Sequence, residues 1–450
     1  MRARGVNLKT QNIAHENLII VFCYKISKVR NIAMMKKKTI LMLSDHPLST
    51  SGVGTQSRWL INGLIGTGKY SFRCFGGAIK HESYELNVVN PDFIIKPTDG
   101  FGDRNLLRKT LAQLKPDALL LFTDPRFFIW VWEMADEIRQ ICPITYWHLW
   151  DNPPWPEFNR VLYESTDLIN CINYPTYEMV KKNIGGREVN YIPHGVPSDL
   201  YFPMPKNEAA KFRRNLLGPS RDDHFVVGYV SRNARRKMPS DIIMSWKMFL
   251  DELKKKHGHE KATLVMHTDP KDPEGPNLIQ VIDMLGVKNS VFFSNKRINF
   301  NEMNNLYNSF DTIVNRSCNE GFGLGTLEAM MCGKPIIAIK TGGLTRQVVD
   351  HETGEQYGIA LEPEVKSLVG NQMVPYIYED FVSHQTLANA FLQMYEKGPE
   401  ERERIGARAR EHALKDYNLE DIVKNWDESL ERTIDSWKNN RTTWSLTQED

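Results

Sequence analysis

Short apolar runs alternate with helix-like stretches along most of this chain, and that alternation constrains the fold more than any other feature. Residues 39–43 form an apolar run that ends in polar Ser44-Asp45, the pattern of a buried parallel strand reaching a loop. Residues 118–122 and 143–147 repeat it, residues 165–170 read as helix passing into strand, and residues 189–192 close the series. Helices fit between these runs, over 55–64 and over Arg104–Leu114. A seam rich in breakers comes next, at 193–197 and 202–205. The pattern then restarts, with strands at Phe225–Val230, Ala262–His267, Val291–Ser294, Thr312–Asn315 and 335–339, and a helix over 241–257. The chain ends in helices over 399–413 and 418–437. Strands alternating with helices imply βαβ units and parallel sheets. The expected fold is therefore α/β: two doubly wound, Rossmann-like halves facing a central cleft, with ligands at the carboxyl ends of the strands.

Charge and cysteine usage exclude several function classes. Lys and Arg total 57 against 55 Asp and Glu, a net charge of +2, so a general polyanion binder is not expected. No run of about 18 apolar residues exists to span a bilayer. Six cysteines are scattered, and none forms a Cys-x-x-Cys pair, which points to a reduced, cytoplasmic chain. The patterns Asn315-Arg-Ser317 and Asn440-Arg-Thr442 are chance matches to a glycosylation acceptor when no secretory signal precedes them. Residues 1–38 carry nine Lys/Arg and one acid, Glu16. They read as a basic extension outside the fold, arising from an upstream start codon before Met34 or serving as an arm for an anionic surface. Leu106, Leu107, Leu111 and Leu114 alternate with Arg104, Arg108, Lys109 and Lys115. That helix can cover a sheet or lie against an anionic membrane as a peripheral contact.

The most informative stretch runs from Asn315 to Pro335. A strand ends, the turn Gly321-Phe322-Gly323-Leu324 opens a helix, and the helix stops at Gly333. Glycines let backbone N–H groups approach a ligand, and a helix start favours an anion there. Glu320 precedes the turn and Glu328 lies in the helix, about 12 Å on if fully helical. Two carboxylates flanking an anion site can grip hydroxylated rings on either side of a diphosphate, which describes a nucleotide-sugar. A pair of surface glutamates around an ordinary helix start is the plain alternative. Arg232-Asn-Ala-Arg-Arg-Lys237 follows the strand Phe225–Val230 and precedes a helix with Ser240 as its expected cap. Such a cluster can neutralise a diphosphate, with Arg235 and Arg236 facing solvent or acceptor. No Asp-x-Asp occurs in the chain, so these cations and the helix start stand where a metal would, and no metal or other cofactor is expected.

Ser51-Gly52-Val-Gly54 follows the first strand but has Ser57 where a dinucleotide fingerprint needs its third glycine. His148 ends the 143–147 run, at a carboxyl end expected to face the cleft. Trp150 and Trp155 flank Pro153-Pro154, as an aromatic wall for a sugar or as a packed loop.

Taken together, Glu320-x7-Glu328 around Gly-Phe-Gly resembles the signature of the family four retaining glycosyltransferases of GT-B fold. The resemblance extends over most of residues 39–345. Pro193-His-Gly-Val196 resembles the family's Pro-Asn-Gly-Val seam, and Gly342-Gly343 its later double-glycine turn. Two departures stand out: Arg346 replaces the usual Glu, and residues 355–385 are not the usual short connection. Lys340-Thr-Gly-Gly-Leu344 looks like a glycogen synthase motif, but it lies on the wrong side of the Glu-x7-Glu helix to support polymer synthesis.

The resemblance implies an acceptor-side domain over 39–201, joined by a helix at about 418–440, and a donor domain over 202–417. It implies sugar transfer from a nucleotide-diphosphate sugar to an acceptor hydroxyl with retained configuration. Arg232 and Lys237 would bind the diphosphate, Glu320 the sugar and Glu328 the ribose. Gly52 and Gly54 would lie near sugar and acceptor, and His148 would approach the transferred sugar. The base would be read by backbone near 295–297. The acceptor stays open: a glycan, a lipid-linked group, a protein or a modified nucleic acid. The rival readings are a sugar-nucleotide epimerase and a non-catalytic nucleotide-sugar or nucleic-acid binder.

Overall fold

The computed structural model describes residues 36–296 and 298–441. The basic extension up to residue 35, and Arg297 of the expected base contact, lie outside the described residues. Lys38 opens the first strand, and Lys37 pairs with Asp92 at 2.5 Å. Both lysines thus belong to the fold, inside the segment set apart above.

The first half is one eight-stranded sheet in the order β3-β4-β2-β1-β5-β6-β7-β8. Its strands are β1 (Lys38–Asp45), β2 (Tyr70–Gly77), β3 (Asn87–Asn90), β4 (Phe93–Pro97), β5 (Ala118–Thr123), β6 (Ile144–His148), β7 (Leu168–Cys171) and β8 (Glu188–Tyr191). All pairings are parallel except that of β3 with β4. The strands β2, β3 and β4 have no counterpart in the pattern of apolar runs. Arg73 interrupts the apolar run of β2, yet it is buried, with its guanidinium donating to the carbonyls of Phe72 and Pro91.

The second half is a six-stranded parallel sheet, β11-β10-β9-β12-β13-β14. It comprises β9 (Phe225–Val230), β10 (Ala262–His267), β11 (Val291–Ser294), β12 (Thr312–Asn315), β13 (Ile336–Ile339) and β14 (Gly358–Leu361). A separate antiparallel hairpin, β15 (Val365–Val369) with β16 (Ile377–Phe381), accounts for the unusual 355–385 segment.

Six helices line the cleft or brace the elements that do: α1 (Gly52–Gly66), α2 (Pro239–His257), α3 (Phe300–Asn308), α4 (Leu324–Met331), α5 (Gly398–Asp416) and α6 (Leu419–Asn440). Ser240 does not cap α2: the helix starts at Pro239 behind Met238, whose φ of 54° is left-handed and which makes no side-chain cap bond. Proline at the first helical position needs no N–H partner there, so the helix starts ahead of the serine.

α6 packs back on the first half. Lys38 pairs with Glu431, Tyr70 donates to Asp427 at 2.8 Å, and Asn170 donates to Ser429 at 3.1 Å. Trp426 meets Trp147 edge-on with ring centroids 4.9 Å apart. One apolar core runs from the inner face of the first sheet through the second half, and a smaller one covers the first sheet's outer face. The helix Arg104–Leu114 buries Leu107 and Leu111 in that outer core and pairs Arg108 with Glu137 at 2.7 Å. Leu107 and Leu111 thus cover the sheet, with Leu106 and Leu114 half-buried beside them. Among the described residues no helix is long and apolar enough to cross a membrane.

Candidate active site in the cleft

The site forms where the carboxyl ends of β9 and β12 meet loops of the first half. Glu320 lies five residues past β12 and is 6% exposed. Lys237, in the tight turn after β9, forms an ion pair with it, and Ser317 donates to the same carboxylate at 3.1 Å. The Arg236 guanidinium stands 3.8 Å away. Burial alone would raise the Glu320 pKa, but the two cations and the hydrogen bonds outweigh it and hold the group at about 2. Glu320 is thus a fixed carboxylate. Burial and the neighbouring Arg236 lower the Lys237 pKa, against the pull of Glu320.

Arg236 is half-exposed and turned across the cleft. It donates to the Asn319 carbonyl at 3.0 Å and stands 4.0 Å from Asp151 of the first half. Arg235 turns the other way and pairs with Glu379 of β16. Arg235 is exposed, as the sequence leads one to expect, whereas Arg236 is tied to the Glu320 loop. A one-residue step around a 3₁₀ turn swings successive side chains by about 120°, so the two arginines cannot share a face.

Arg232 is not brought to Glu320. Its guanidinium is bidentate to Asp272, at 2.7 and 3.1 Å, and also meets Glu274 at 3.1 Å. It stands on the same loop as Lys237, exposed and held by acids.

The glycine turn is built as the spacing suggests. Gly323 has φ 92° and caps α4 with no side chain, leaving the first N–H groups of the helix uncovered. Across the cleft, α1 begins at Gly52, where a Cβ would sit 3.2 Å from Leu324 Cδ1. The two helix starts therefore lie close together, but the Gly54 N–H of α1 is taken by Ser51 at 3.0 Å, so it is the uncapped start of α4 whose partial positive charge adds to those of Arg236 and Lys237. Gly54 has a packing role, since a Cβ there would come within 2.7 Å of the His46 carbonyl. Gly342 and Gly343 carry the turn: a Cβ on Gly342 would collide with the Glu320 carbonyl at 1.9 Å, and one on Gly343 with Phe322 Cα at 2.4 Å. The Gly321 carbonyl accepts from Asn173 of the first half at 3.0 Å. Asp151 Oδ1 would stand 2.7 Å from a Cβ on Gly321.

Glu328 lies one turn into α4, half-buried. Tyr307 of α3 donates to it at 2.5 Å, and the Tyr201 hydroxyl, of the crossing between the halves, also favours its charged form. No Lys or Arg pairs with it among the described residues. Burial raises its pKa to about 7 against the two hydroxyls.

His148 does not face the cleft as expected. It is fully buried with Tyr146 and Tyr163, bonded to the Tyr163 hydroxyl at 3.1 Å, and burial pushes its pKa down to about 3. Side chains alternate along a strand, so Trp147 takes the inner face, stacked on Phe122 at 3.9 Å, and His148 takes the outer one. Leu149 and Asp151 occupy the position beside Gly321 instead. The histidine that does meet the glycine turn is His194, whose ring lies 4.8 Å from Phe322 and 5.2 Å from Trp147. It sits in the seam motif, whose breakers mask it as a mere linker.

Arg346, where the resembled family usually has a Glu, stacks on Tyr174 of the first half at 3.2 Å. The hairpin β15–β16 straps the halves together. The Tyr376 hydroxyl accepts from the Glu157 N–H at 2.9 Å and donates to the Trp155 carbonyl at 3.1 Å. Asp380 accepts from Thr341 at 2.8 Å and from Asn152 at 3.2 Å, and its N–H donates to the Cys318 carbonyl at 2.7 Å. Trp150 is buried, while Trp155 is half-buried beneath this strap.

Residues 218–412 match the family model described as "Glycosyl transferases group 1". A D-inositol 3-phosphate glycosyltransferase of Corynebacterium jeikeium is 30% identical over 208 residues, 44% of this chain and 48% of that protein. An N-acetyl-alpha-D-glucosaminyl L-malate synthase of Bacillus anthracis is 23% identical over 254 residues, 52% of this chain and 61% of that protein. The chain thus spans about half the length of these relatives. Among solved structures, sucrose-phosphate synthase from Thermosynechococcus elongatus superposes with a TM-score of 0.66 at 18% identity, over 89% of this chain and 100% of that one. Anabaena HepE in complex with UDP-glucose superposes with a TM-score of 0.64 at 18% identity, over 88% of this chain and 100% of that one. At such identities the likeness is one of fold. The chain accordingly has the GT-B fold of two Rossmann-like domains, and its second half carries the sequence pattern of the glycosyl transferases group 1.

Proposed function

We propose that this chain transfers a sugar from a nucleotide-diphosphate sugar to an acceptor hydroxyl, with retention of anomeric configuration and without a metal. The observation that carries the reading is the convergence of Lys237, Arg236 and the uncapped start of α4 around Glu320, with a second, half-buried carboxylate, Glu328, one turn into α4.

Breaking the bond between sugar and diphosphate leaves growing negative charge on the leaving group, and preorganised donors stabilise it without rearranging. Lys237 and the N–H groups at the start of α4 supply them, and Arg232 joins from the same loop by leaving Asp272. Glu320, held ionised, accepts hydrogen bonds from sugar hydroxyls, and Glu328 from the ribose. The acceptor enters from the first half, beside Asp151. No protein nucleophile is assigned, so retention results from attack on the face the leaving group vacates, with the acceptor hydroxyl's proton passing to the departing diphosphate oxygen.

The curated relatives act, by name, on an inositol phosphate and on malate, and HepE was solved with UDP-glucose. These support a nucleotide-sugar donor and a small hydroxylated acceptor. Incubating the protein with a turned-over donor after thorough EDTA treatment, and reading the product's anomeric configuration by NMR, tests the proposal. Retained configuration and unchanged turnover are expected. Inversion, or activity restored only by Mg²⁺ or Mn²⁺, would overturn it.

A further inference from the structure

Glu328 is the acid of the site with no cation to hold it, and the two groups that do hold it come from different parts of the molecule. Tyr307 reaches it from α3, at 2.5 Å, and is fully buried. Tyr201 reaches it from the crossing between the halves and is 1% exposed. The rings of Tyr201 and Tyr307 meet edge-on at 6.0 Å. Tyr201 also meets Trp59 of α1, at 6.4 Å, and Trp59 in turn meets Phe300 at the start of α3, at 5.7 Å. The pair thus forms an aromatic bracket that reaches from the first half to the carboxylate.

A tyrosine hydroxyl has one proton to give. Tyr307 gives its proton to Glu328 and the Tyr201 hydroxyl stands by the same carboxylate, so lone pairs of the carboxylate remain for a ligand. A carboxylate that accepts hydrogen bonds is favoured in its charged form, and burial opposes this. The outcome at neutral pH is therefore a contest between the apolar surroundings and two hydroxyl groups.

We propose that Tyr307 and Tyr201 are positioning residues that hold the Glu328 carboxylate charged and aimed at the ribose hydroxyls of the donor. The inference rests on the reading of Glu328 as the ribose partner. The other titratable or charged groups around it are few. Cys332, which caps the C-terminus of α4 one turn on, has its thiol pKa pushed up by burial, and the charges of Lys334 and of Arg410 of α5 act on that thiol. Arg58 of α1 acts on Tyr201. None of them forms an ion pair with Glu328 among the described residues.

Burial lifts the Glu328 pKa to about 7 while both tyrosine hydroxyls pull it down. Removing one hydroxyl raises it further, so the ribose-binding form is lost at a higher pH. The test uses carbon-labelled glutamate to follow the Glu328 titration by NMR in the ligand-free wild type, Tyr307→Phe and Tyr201→Phe. The affinities of UDP, GDP and ADP are measured across pH in the same proteins. Each variant is expected to raise the titration midpoint by about one unit, the size that a hydrogen bond to a charged group supports. The nucleotide that binds should weaken several-fold at pH 7 and recover above pH 9, whereas Glu328→Gln should remove the pH dependence. An unmoved midpoint, or an equal loss of affinity at every pH, would overturn the proposal. If no nucleotide binds the wild type, the ribose reading is what fails, and the titration alone decides the tyrosine pair.

Discussion

Lys237 and Glu320 form a buried ion pair between two loops that are 83 residues apart, at the point where the two halves meet. The pair has two consequences. A buried charge is tolerated only when partnered, so each residue fixes the other's position before any substrate arrives. Under the proposed function, the same lysine is then already in place to meet a diphosphate.

Because the Glu320 pKa is held down at about 2 by Lys237 and Arg236, its contribution to stability is present above its unfolded pKa and lost as pH falls through about 2. Thermal melts of wild type and Glu320→Gln should therefore differ most above about pH 5 and converge toward pH 2. A gap that widened on acidification would show that the pair is not formed.

Gly342→Ala places a methyl group against the Glu320 carbonyl, in a backbone with φ 48°. The expected cost is about 3 kcal/mol of stability, with turnover reduced beyond what the melting shift explains. Urea titration and a turnover assay on the same preparation check this. A variant with wild-type stability and rate would mean that the double-glycine turn does not carry Glu320.

Much of this arrangement is legible in the sequence. The nine residues from Glu320 to Glu328, with glycines between them, announce a glycine turn opening a bare helix start, because the spacing and the left-handed glycine are both local. The pairing of Lys237 with Glu320 is not legible, because it is set by how β9 and β12 lie side by side. His148 misleads for a related reason. A histidine at a strand's carboxyl end points to the cleft or away from it according to register, and the neighbouring Trp147 takes the inward place. The strands β2, β3 and β4 escape the pattern because Arg73 breaks the first and two short polar-ended runs form the others. The hairpin β15–β16 shows only as a departure, since nothing local says that it spans the two halves.

Single side chains of that hairpin carry its hold on the first half. Tyr376→Phe removes both hydrogen bonds to the Trp155 loop, and Asp380→Asn weakens those to Thr341 and Asn152. Each should cost about 1–3 kcal/mol. Hydrogen exchange should rise in residues 149–157 and 317–320 together. Loosening of one segment without the other would mean that the hairpin does not strap the halves.

His148 and His194 separate by their readouts. His148→Phe is expected to keep turnover within about tenfold of wild type and to act mainly through the buried polar cluster with Tyr163. His194→Ala should reduce turnover more, because its ring backs Phe322 of the glycine turn. With burial holding both histidines near pKa 3, neither should add a limb to the pH–rate profile between pH 5 and 8. A tenfold or greater loss in His148→Phe at unchanged stability would restore it to the catalytic set.

The most direct measurement is nucleoside diphosphate release from UDP-, GDP- and ADP-sugars by wild type, Lys237→Ala and Glu320→Ala at matched folded concentration. The account predicts turnover of one donor class by wild type and a loss of about 100-fold or more in each variant. No release from any donor, or variants that release as fast as wild type, would contradict it.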